Sequence, residues 1–489
     1  MTDVYIDGKW QTGQGAAFEK TCPATGDVVW QGYAASRAQV TAAVASAHQA
    51  FKGWSRIALD ERIGILQAYA KALTARRETI AIAISRDMGK ALWESRTEVD
   101  AMVGKVAISV QAKAERAGHK TVSAAFGVIE LGHRPHGVMA VIGPFNFPGH
   151  LPNGHIVPAL LAGNVCVFKP SELAPSVAFH MADAFAEAGL PHGCFNVVQG
   201  GRDTGGALLG ADIDGLLFTG SVAAGLAFHR YFAGRPEVIL ALEMGGNNPL
   251  IVWDPADPEA AADIVFNSAF VTTGQRCSCA RRLILPAGAF GDSVLQALKR
   301  RIQSVPIGQW DEDIFMGPLV SEQAAQNALA FEADLLRRGA VGTQMFERPR
   351  QDGAFLRPAL IDVTEASAVP DAEMFGPMLQ VQRVSEFDQA IAAANATQFG
   401  LAAGLIGDDD ALWSKAQSSL KAGILTRNRP TAGAPSTMPF GGPGLSGNHR
   451  PGAYYAADYC AWPQAIQTAS VAAPQQATGY SGSWGRVER

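Results

Sequence analysis

The first third of the chain has the apolar spacing of helices. Four apolar residues between Val40 and Phe51 recur every three or four positions, which places them on one helical face. Ser36 and Gln39 precede this face at the spacing of a capping box. A second run with the same period follows from about residue 60. Both runs are predicted to be helices that pack on a core.

From about residue 137 the pattern changes to short apolar runs separated by helical segments and turns. Runs of this length without alternation indicate strands buried on both faces. In the first part of this region they are GVMAVIGP (137–144), NVCVFKP (164–170), CFNVVQG (194–200), DGLLFTG (214–220) and EVILALEMGG (237–246). Strand, helix and strand at this spacing predict βαβ units and a parallel sheet.

A second alternation runs from NPLIVW (248–253) to GILTRN (423–428), with helices expected near 290–304 and 321–338. The sequence therefore predicts an α/β protein with two lobes. The segment after Ala472 is small, polar and rich in glycine, and is expected to be either disordered or an arm on a neighbouring subunit.

Composition and charge narrow the classes of function. Of the 489 residues 48% are hydrophobic and 17% charged, as in a globular protein, and the net charge of −5 argues against a nucleic-acid partner or an anionic membrane surface. The most apolar stretch, Ile156 to Phe168, is too short to span a bilayer. The first residues lack the pattern of a signal peptide. A cytoplasmic protein without a membrane partner is expected.

Two of the six cysteines, Cys277 and Cys279, lie one residue apart beside several arginines. Six cysteines in a chain of this length are not a disulfide framework. No histidine or further cysteine is near enough in sequence to complete a zinc site, so no metal is expected. Two interpretations stay open: a nucleophile with a neighbouring thiol, or two core thiols.

Unusual polar residues stand at the ends of several predicted strands. In parallel sheets, ligands bind beyond the carboxyl ends of the strands. In PFNFP, Asn146 stands in a loop stiffened by two prolines, which suits an oxyanion donor as well as a turn cap. In FKPSE, Lys169 could reach a phosphate or a ribose hydroxyl, and Glu172 could accept from ribose hydroxyls. The alternative for this pair is a surface lysine and a helix start.

Two further strand ends carry candidate residues. FTGSVAAG places Gly220, Ser221 and Gly225 where a helix begins, so a pyrophosphate could approach its free N–H groups; an ordinary turn is the alternative. Glu243 ends a very apolar strand. A carboxylate there is expected to be a general base or one half of a buried ion pair.

Seven motifs, in their order along the chain, resemble those of the aldehyde dehydrogenase superfamily, and the resemblance spans residues 5 to 470. They are PFNFP, FKPSE, FTGS, LEMGGNNP, GQRC, EMFGP (373–377) and PFGG (439–442). The resemblance implies an aldehyde dehydrogenase-like α/β fold with two Rossmann-type lobes and a small β oligomerisation arm. Its five-stranded Rossmann variant does not need a G-x-G-x-x-G motif.

The resemblance also implies a division into domains. Residues 1–120 and 140–245 would bind NAD, and 246–435 would form the catalytic domain. Residues 121–139 and 455–489 would form the oligomerisation arm and C-terminal tail. The family exchanges a C-terminal strand between subunits, here DYCAWPQAIQT (458–468), which implies a homodimer or a higher homo-oligomer.

By the same resemblance, Cys277 attacks the aldehyde, Asn146 and the backbone N–H of Cys277 hold the oxyanion, and Glu243 activates the water that hydrolyses the thioester. NAD accepts the hydride. The residues implied to hold it are Lys169 and Glu172 at the adenosine ribose, Gly220, Ser221 and Gly225 at the pyrophosphate, Glu373 at the nicotinamide ribose and Phe375 near the nicotinamide ring. Glu172 favours NAD over NADP because a carboxylate repels a 2′-phosphate.

The expected substrate is an acidic semialdehyde. Several stretches, SGNHRPGAYYAADYCAWP (446–463) among them, resemble the branch that oxidises N-succinylglutamate 5-semialdehyde in arginine catabolism. Arg429, His449 and Arg450 are candidates for binding its carboxylates. The alternatives are another semialdehyde or aliphatic aldehyde as substrate, and a catalytically silent structural member of the family.

Overall fold

The computed structural model describes residues 3–255, 257–452 and 454–472. The strands in these residues are β1 Val4–Ile6, β2 Lys9–Gln11, β3 Ala17–Thr21, β4 Val28–Tyr33, β5 Lys120–Ala124, β6 Gly127–Pro135, β7 Val138–Ile142, β8 Val165–Lys169, β9 Phe195–Val198, β10 Gly215–Thr219, β11 Ile239–Glu243, β12 Asn248–Val252, β13 Ala280–Pro286, β14 Val341–Gln344, β15 Ala359–Asp362, β16 Met378–Val384, β17 Ala402–Ile406, β18 Ile424–Arg427 and β19 Ala461–Thr468.

The α-helices in the same residues connect and cover these strands. They are α1 Arg37–Trp54, α2 Leu59–Ala75, α3 Arg77–Met88, α4 Leu92–Arg116, α5 His150–Ala162, α6 Val177–Glu187, α7 Arg202–Leu209, α8 Val222–Tyr231, α9 Pro258–Phe270, α10 Ala289–Ser304, α11 Glu322–Arg337, α12 Phe387–Asn395, α13 Asp410–Ser419 and α14 Ala456–Tyr459. The predicted capping box at the start of α1 is confirmed: Ser36 accepts from the backbone of Gln39, whose side chain accepts from the backbone of Ser36.

The first lobe contains a seven-stranded sheet in the order β11-β10-β7-β8-β9-β1-β2. The strands from β7 to β11 are parallel to their neighbours, and β1 and β2 close one edge in antiparallel pairing. Nearly every residue of the five parallel strands is buried, which explains their unbroken apolar sequences. The carboxyl ends of β7, β8, β10 and β11 therefore meet at one edge.

The second lobe contains another seven-stranded sheet, in the order β14-β15-β16-β13-β12-β17-β18. Its strands are parallel except β14, which runs antiparallel to β15. The two predicted α/β lobes are confirmed. In the described part of the chain, no helix combines the length and apolar character that crossing a bilayer requires.

A three-stranded antiparallel sheet, in the order β19-β6-β5, forms a separate arm. The chain enters it between the two parts of the first lobe, and β19 pairs with β6 from Ala461 to Thr468. Large apolar side chains on the arm are exposed: Val122, Phe126, Ile129 and Trp462. The predicted alternatives for the segment after Ala472 fall on 473–489, outside the described residues.

Candidate active site

Cys277 lies in the connection between α9 and β13, on a backbone of unusual conformation. In the short 3-10 turn Val271–Gly274, Thr272 and Thr273 have φ angles of 56° and 55°, in the left-handed region that β-branched residues rarely adopt. At Gly274, where φ is 69°, a Cβ would lie 2.1 Å from the carbonyl oxygen of Gly376. This turn presents Cys277, which is 9% exposed, to the space between the lobes.

Two buried side chains hold this turn in place. The guanidinium of Arg281 donates to the carbonyl oxygens of Gly274 (2.6 Å) and Arg276 (2.8 Å). The amide of Asn248 donates to the carbonyl oxygens of Cys277 (2.7 Å) and Cys279 (2.8 Å). The backbone is therefore held both before Cys277, by Arg281, and at and after Cys277, by Asn248.

The side chain of Glu243 reaches Cys277 from the other lobe. It ends β11, is 2% exposed, and lies close enough to the Cys277 thiol for each group to shift the pKa of the other. Burial, followed by the charge of Glu373, raises the pKa of Glu243 to about 8. Burial and the Glu243 carboxylate likewise raise the pKa of the Cys277 thiol. Both shifts favour the protonated form of the group, so the burial of this pair works against charge on either side chain.

Asn146 lies beside the same loop. Its Nδ2 donates to the carbonyl oxygen of Gln275 at 2.9 Å, and Lys90 Nζ donates to its backbone oxygen at 2.7 Å. Lys90 is itself held by a buried 2.8 Å ion pair with Glu98. One N–H of the amide is thus used for orientation, and the second is free for a ligand. In the described residues the backbone N–H of Cys277 also donates no hydrogen bond.

Glu373 and Phe375 complete this side of the site. Glu373 forms a 3.6 Å ion pair with Arg281, and burial raises its pKa to about 7. A Cβ on Gly245 would lie 2.1 Å from a Glu373 carboxylate oxygen, so only glycine permits this approach. Phe375 meets Phe145 edge to face, with 5.7 Å between ring centroids.

The remaining predicted cofactor residues lie at the carboxyl ends of β8 and β10. Lys169 Nζ donates to the carbonyl oxygen of Gly200 at 2.6 Å and lies 3.4 Å from the half-exposed carboxylate of Glu172. Ser221 caps α8 by accepting from Ala224 N. Gly220 precedes this cap, and Gly225 lies in the first turn of α8, where a Cβ would lie 2.0 Å from the Met244 sulfur.

A cavity opens beside Glu243. The described residues that line it are Lys105, His150, Leu151, Gly154, His155, Thr219, Glu243, Ala434, Pro435, Ser436, Phe440, Pro451 and Gly452. The predicted substrate residues Arg429, His449 and Arg450 are not among them. Arg429 and His449 are exposed, and the guanidinium of Arg450 donates to the carbonyl oxygen of Gly442 at 3.4 Å.

The sequence analysis did not single out three ionisable residues of this cavity: Lys105, His150 and His155. The sequence carries a signal for the first, because Lys105 occupies the buried face of α4, in register with Glu98, Met102 and Ser109. A lysine at such a position is unusual. The two histidines lie in an apolar helix, and nothing in the local pattern distinguishes them.

The sequence profile of the Aldehyde dehydrogenase family matches residues 10–465. The chain belongs to this family. As an aldehyde dehydrogenase it has the two-lobed α/β fold expected from its motifs, and small-molecule aldehydes are its class of substrate. No group of three or more His, Cys, Asp or Glu side chains in the described residues could hold a metal ion.

Some relatives of this dehydrogenase have names that specify a substrate. It is 54% identical over 477 residues to "N-succinylglutamate 5-semialdehyde dehydrogenase 2" of Caulobacter vibrioides, covering 96% of each chain. It is 53% identical over 467 residues to the N-succinylglutamate 5-semialdehyde dehydrogenase of Caulobacter sp. (strain K31), covering 94% of this chain and 95% of the relative. Among solved structures, an indole-3-acetaldehyde dehydrogenase in complex with NAD+ matches with a TM-score of 0.90 and 28% identity, covering 95% of this chain and 96% of that one.

Proposed function

We propose that this enzyme oxidises N-succinylglutamate 5-semialdehyde to N-succinylglutamate, with NAD as the hydride acceptor. The observation that carries the chemistry is the buried position of the Glu243 side chain next to the Cys277 thiol, which brings a base to a nucleophile. The substrate is supported by the names of relatives that are 53% and 54% identical over nearly the whole chain.

In the first step Glu243 takes the thiol proton and the Cys277 sulfur attacks the aldehyde carbon. The carbonyl oxygen becomes an oxyanion, which the second N–H of Asn146 Nδ2 and the backbone N–H of Cys277 stabilise. Both donors belong to fixed groups, because Gln275 orients the amide and Asn248 anchors the Cys277 carbonyl. The protein thus holds the donors in place before the charge develops.

The groups around this centre fit NAD. The Ser221 side chain takes only the Ala224 N–H at the start of α8, so the N–H groups before it, next to Gly220, are left for a pyrophosphate. Apart from its 3.6 Å ion pair with Arg281, one buried Glu373 oxygen has no hydrogen bond in the described residues, as a ribose-binding carboxylate would before the ribose binds. We propose that the first lobe binds NAD through these residues with Lys169, Glu172 and Ser221, that Phe375 packs near the nicotinamide, and that the second lobe supplies Cys277. NAD held by these residues would supply the hydride acceptor for the carbon bound to Cys277, and the adduct on the sulfur would become a thioester.

After the thiol proton has passed from Glu243 to solvent, Glu243 acts a second time as a base in the last step. Its pKa of about 8 lies close to neutral pH, where a general base combines a useful ionised fraction with a strong affinity for protons. It removes a proton from water, the oxygen attacks the thioester carbon, and the sulfur leaves as the acid is released.

Replacing Asn146 with alanine is expected to lower kcat by about 10²–10³-fold, because one of two oxyanion donors is lost. The measurement is the steady-state rate of NADH formation at saturating NAD. Asn146→Asp, similar in size but without the N–H donors, should be as slow. A kcat within about threefold of wild type in Asn146→Ala would exclude the oxyanion role.

Replacing Glu172 with glutamine is expected to reduce the preference for NAD over NADP by about tenfold or more, because the carboxylate no longer repels a 2′-phosphate. The measurement is kcat/KM for each cofactor with the same aldehyde. An unchanged ratio would show that the half-exposed Glu172 does not face the adenosine ribose.

The substrate proposal is tested with an aldehyde panel. We expect kcat/KM for N-succinylglutamate 5-semialdehyde to exceed that for succinate semialdehyde and for hexanal by at least about tenfold. Adding coenzyme A distinguishes hydrolysis from acyl transfer: the product should be the free acid in its presence and absence. Equal kcat/KM values across the panel would reject a dedicated acidic substrate.

We also propose that the enzyme is a cytoplasmic homodimer or higher homo-oligomer. The exposed apolar residues of the arm, including Val122 and Trp462, would be covered by a second subunit. All six cysteines are free, as is usual in a reducing compartment. Sedimentation equilibrium of the purified protein tests the assembly.

A further inference from the structure

Lys105 lies on the inner face of helix α4 and is 2% exposed. On the same face, Met102 one turn before it and Ser109 one turn after it are also buried. The Lys105 side chain is therefore held away from bulk water. A lysine in this position usually has an anionic partner.

No such partner is present in the described residues, where the Lys105 ammonium makes neither a hydrogen bond nor an ion pair. Lys90, which is also buried, forms a 2.8 Å ion pair with Glu98. Burial without a compensating charge lowers the pKa of Lys105 to about 8. An isolated buried cation destabilises a fold, so its presence calls for an anion that arrives from outside.

The position of Lys105 indicates where that anion would bind. Lys105 lines the same cavity as Glu243, beside His150 and His155. Burial lowers the pKa of both histidines to about 3, so they are neutral at physiological pH. His155 is in addition hydrogen-bonded to Tyr459 and Thr219. Among the described residues that line the cavity, Lys105 is thus the one that carries a positive charge.

We propose that the Lys105 ammonium binds a carboxylate of the aldehyde substrate and thereby selects acidic semialdehydes over neutral ones. This inference rests on the proposed function. The aldehyde end of such a substrate lies at Cys277 and Glu243, and its carboxylate supplies the charge that Lys105 lacks. A neutral aldehyde would leave the Lys105 ammonium unpaired, so its binding would not be strengthened by this charge.

The test compares wild type with Lys105→Met, which keeps the length and apolar packing of the side chain but removes the charge. For each protein, kcat/KM is measured with N-succinylglutamate 5-semialdehyde and with hexanal, and the ratio of the two values is taken. The ratio is expected to fall by about 50-fold or more, mainly through KM for the acidic substrate. Lys113→Met on the same helix, where Lys113 binds the Ala117 carbonyl outside the cavity, should keep the wild-type ratio.

The outcomes separate the inference from the proposed function. If wild type does not favour the acidic aldehyde, the proposed function fails. If wild type favours it and Lys105→Met keeps the full ratio, Lys105 does not bind the carboxylate and the inference alone fails. Should Lys105→Met not fold, Lys105→Gln is measured in the same way, with the same two possible results.

Discussion

Replacing Cys277 with alanine is expected to lower kcat for aldehyde oxidation by at least about 10⁴-fold. Without the sulfur there is no covalent adduct from which hydride can leave, and Glu243 has no nucleophile to deprotonate at the first step. NADH formation under saturating aldehyde and NAD measures the loss. The fold should be retained, because replacing a cysteine with alanine leaves only a small space in this buried loop. Circular dichroism and the melting temperature check this.

Cys279 provides the matched control. It lies two residues away, is completely buried, and its sulfur contacts the carbonyl oxygen of Val271 at 3.7 Å. Cys279→Ala should change kcat by less than about threefold, because this thiol faces the core. Equal losses in the two variants would assign the effect to the loop rather than to the nucleophile.

Replacing Glu243 with glutamine is expected to give the second large effect, a fall of about 10²–10⁴-fold in steady-state turnover. The amide cannot accept a proton from the thiol or from water. If deacylation becomes the slower step, rapid mixing should show up to one NADH per active site followed by almost no further product. Stopped-flow fluorescence of NADH records both phases.

The pH dependence gives an independent check on Glu243. Its carboxylate must be ionised to act as a base, and its pKa is raised to about 8, so kcat/KM of the wild type for hexanal, which has no carboxylate for Lys105 to bind, should rise as pH increases from about 7 to 9. Glu243→Gln should lose this rise. A wild-type profile that is flat over this interval would contradict a base with the environment seen for Glu243.

Much of the fold was predictable, because local patterns determine it. The parallel strands of the first lobe are buried on both faces, so each appears in the sequence as an unbroken apolar run. Glu243 and Lys169 could be singled out for the same reason: a charge at the end of such a run contrasts with its surroundings. Their proximity to a common edge follows from strand order, which βαβ spacing restricts strongly.

The rest of the site depends on contacts between distant segments. Arg281 and Asn248 hold the loop of the nucleophile by donating hydrogen bonds to its backbone carbonyl oxygens. No motif in the sequence indicates this role. Lys105 joins the cavity through the packing of α4 against α5. The prediction for Arg429 and His449 rested on their charge, which does not determine the direction of a side chain. Both residues are exposed in the structure.

Identification of the acylated residue tests the central claim most directly. Because acylation is also slowed without the base, Glu243→Gln is incubated with NAD and N-succinylglutamate 5-semialdehyde until NADH formation stops, then quenched in acid, digested and analysed by mass spectrometry. The account predicts an N-succinylglutamyl thioester on Cys277 and an unmodified Cys279 in the same peptide. NADH formation with no acyl group on Cys277, or with the acyl group on another residue, would contradict it.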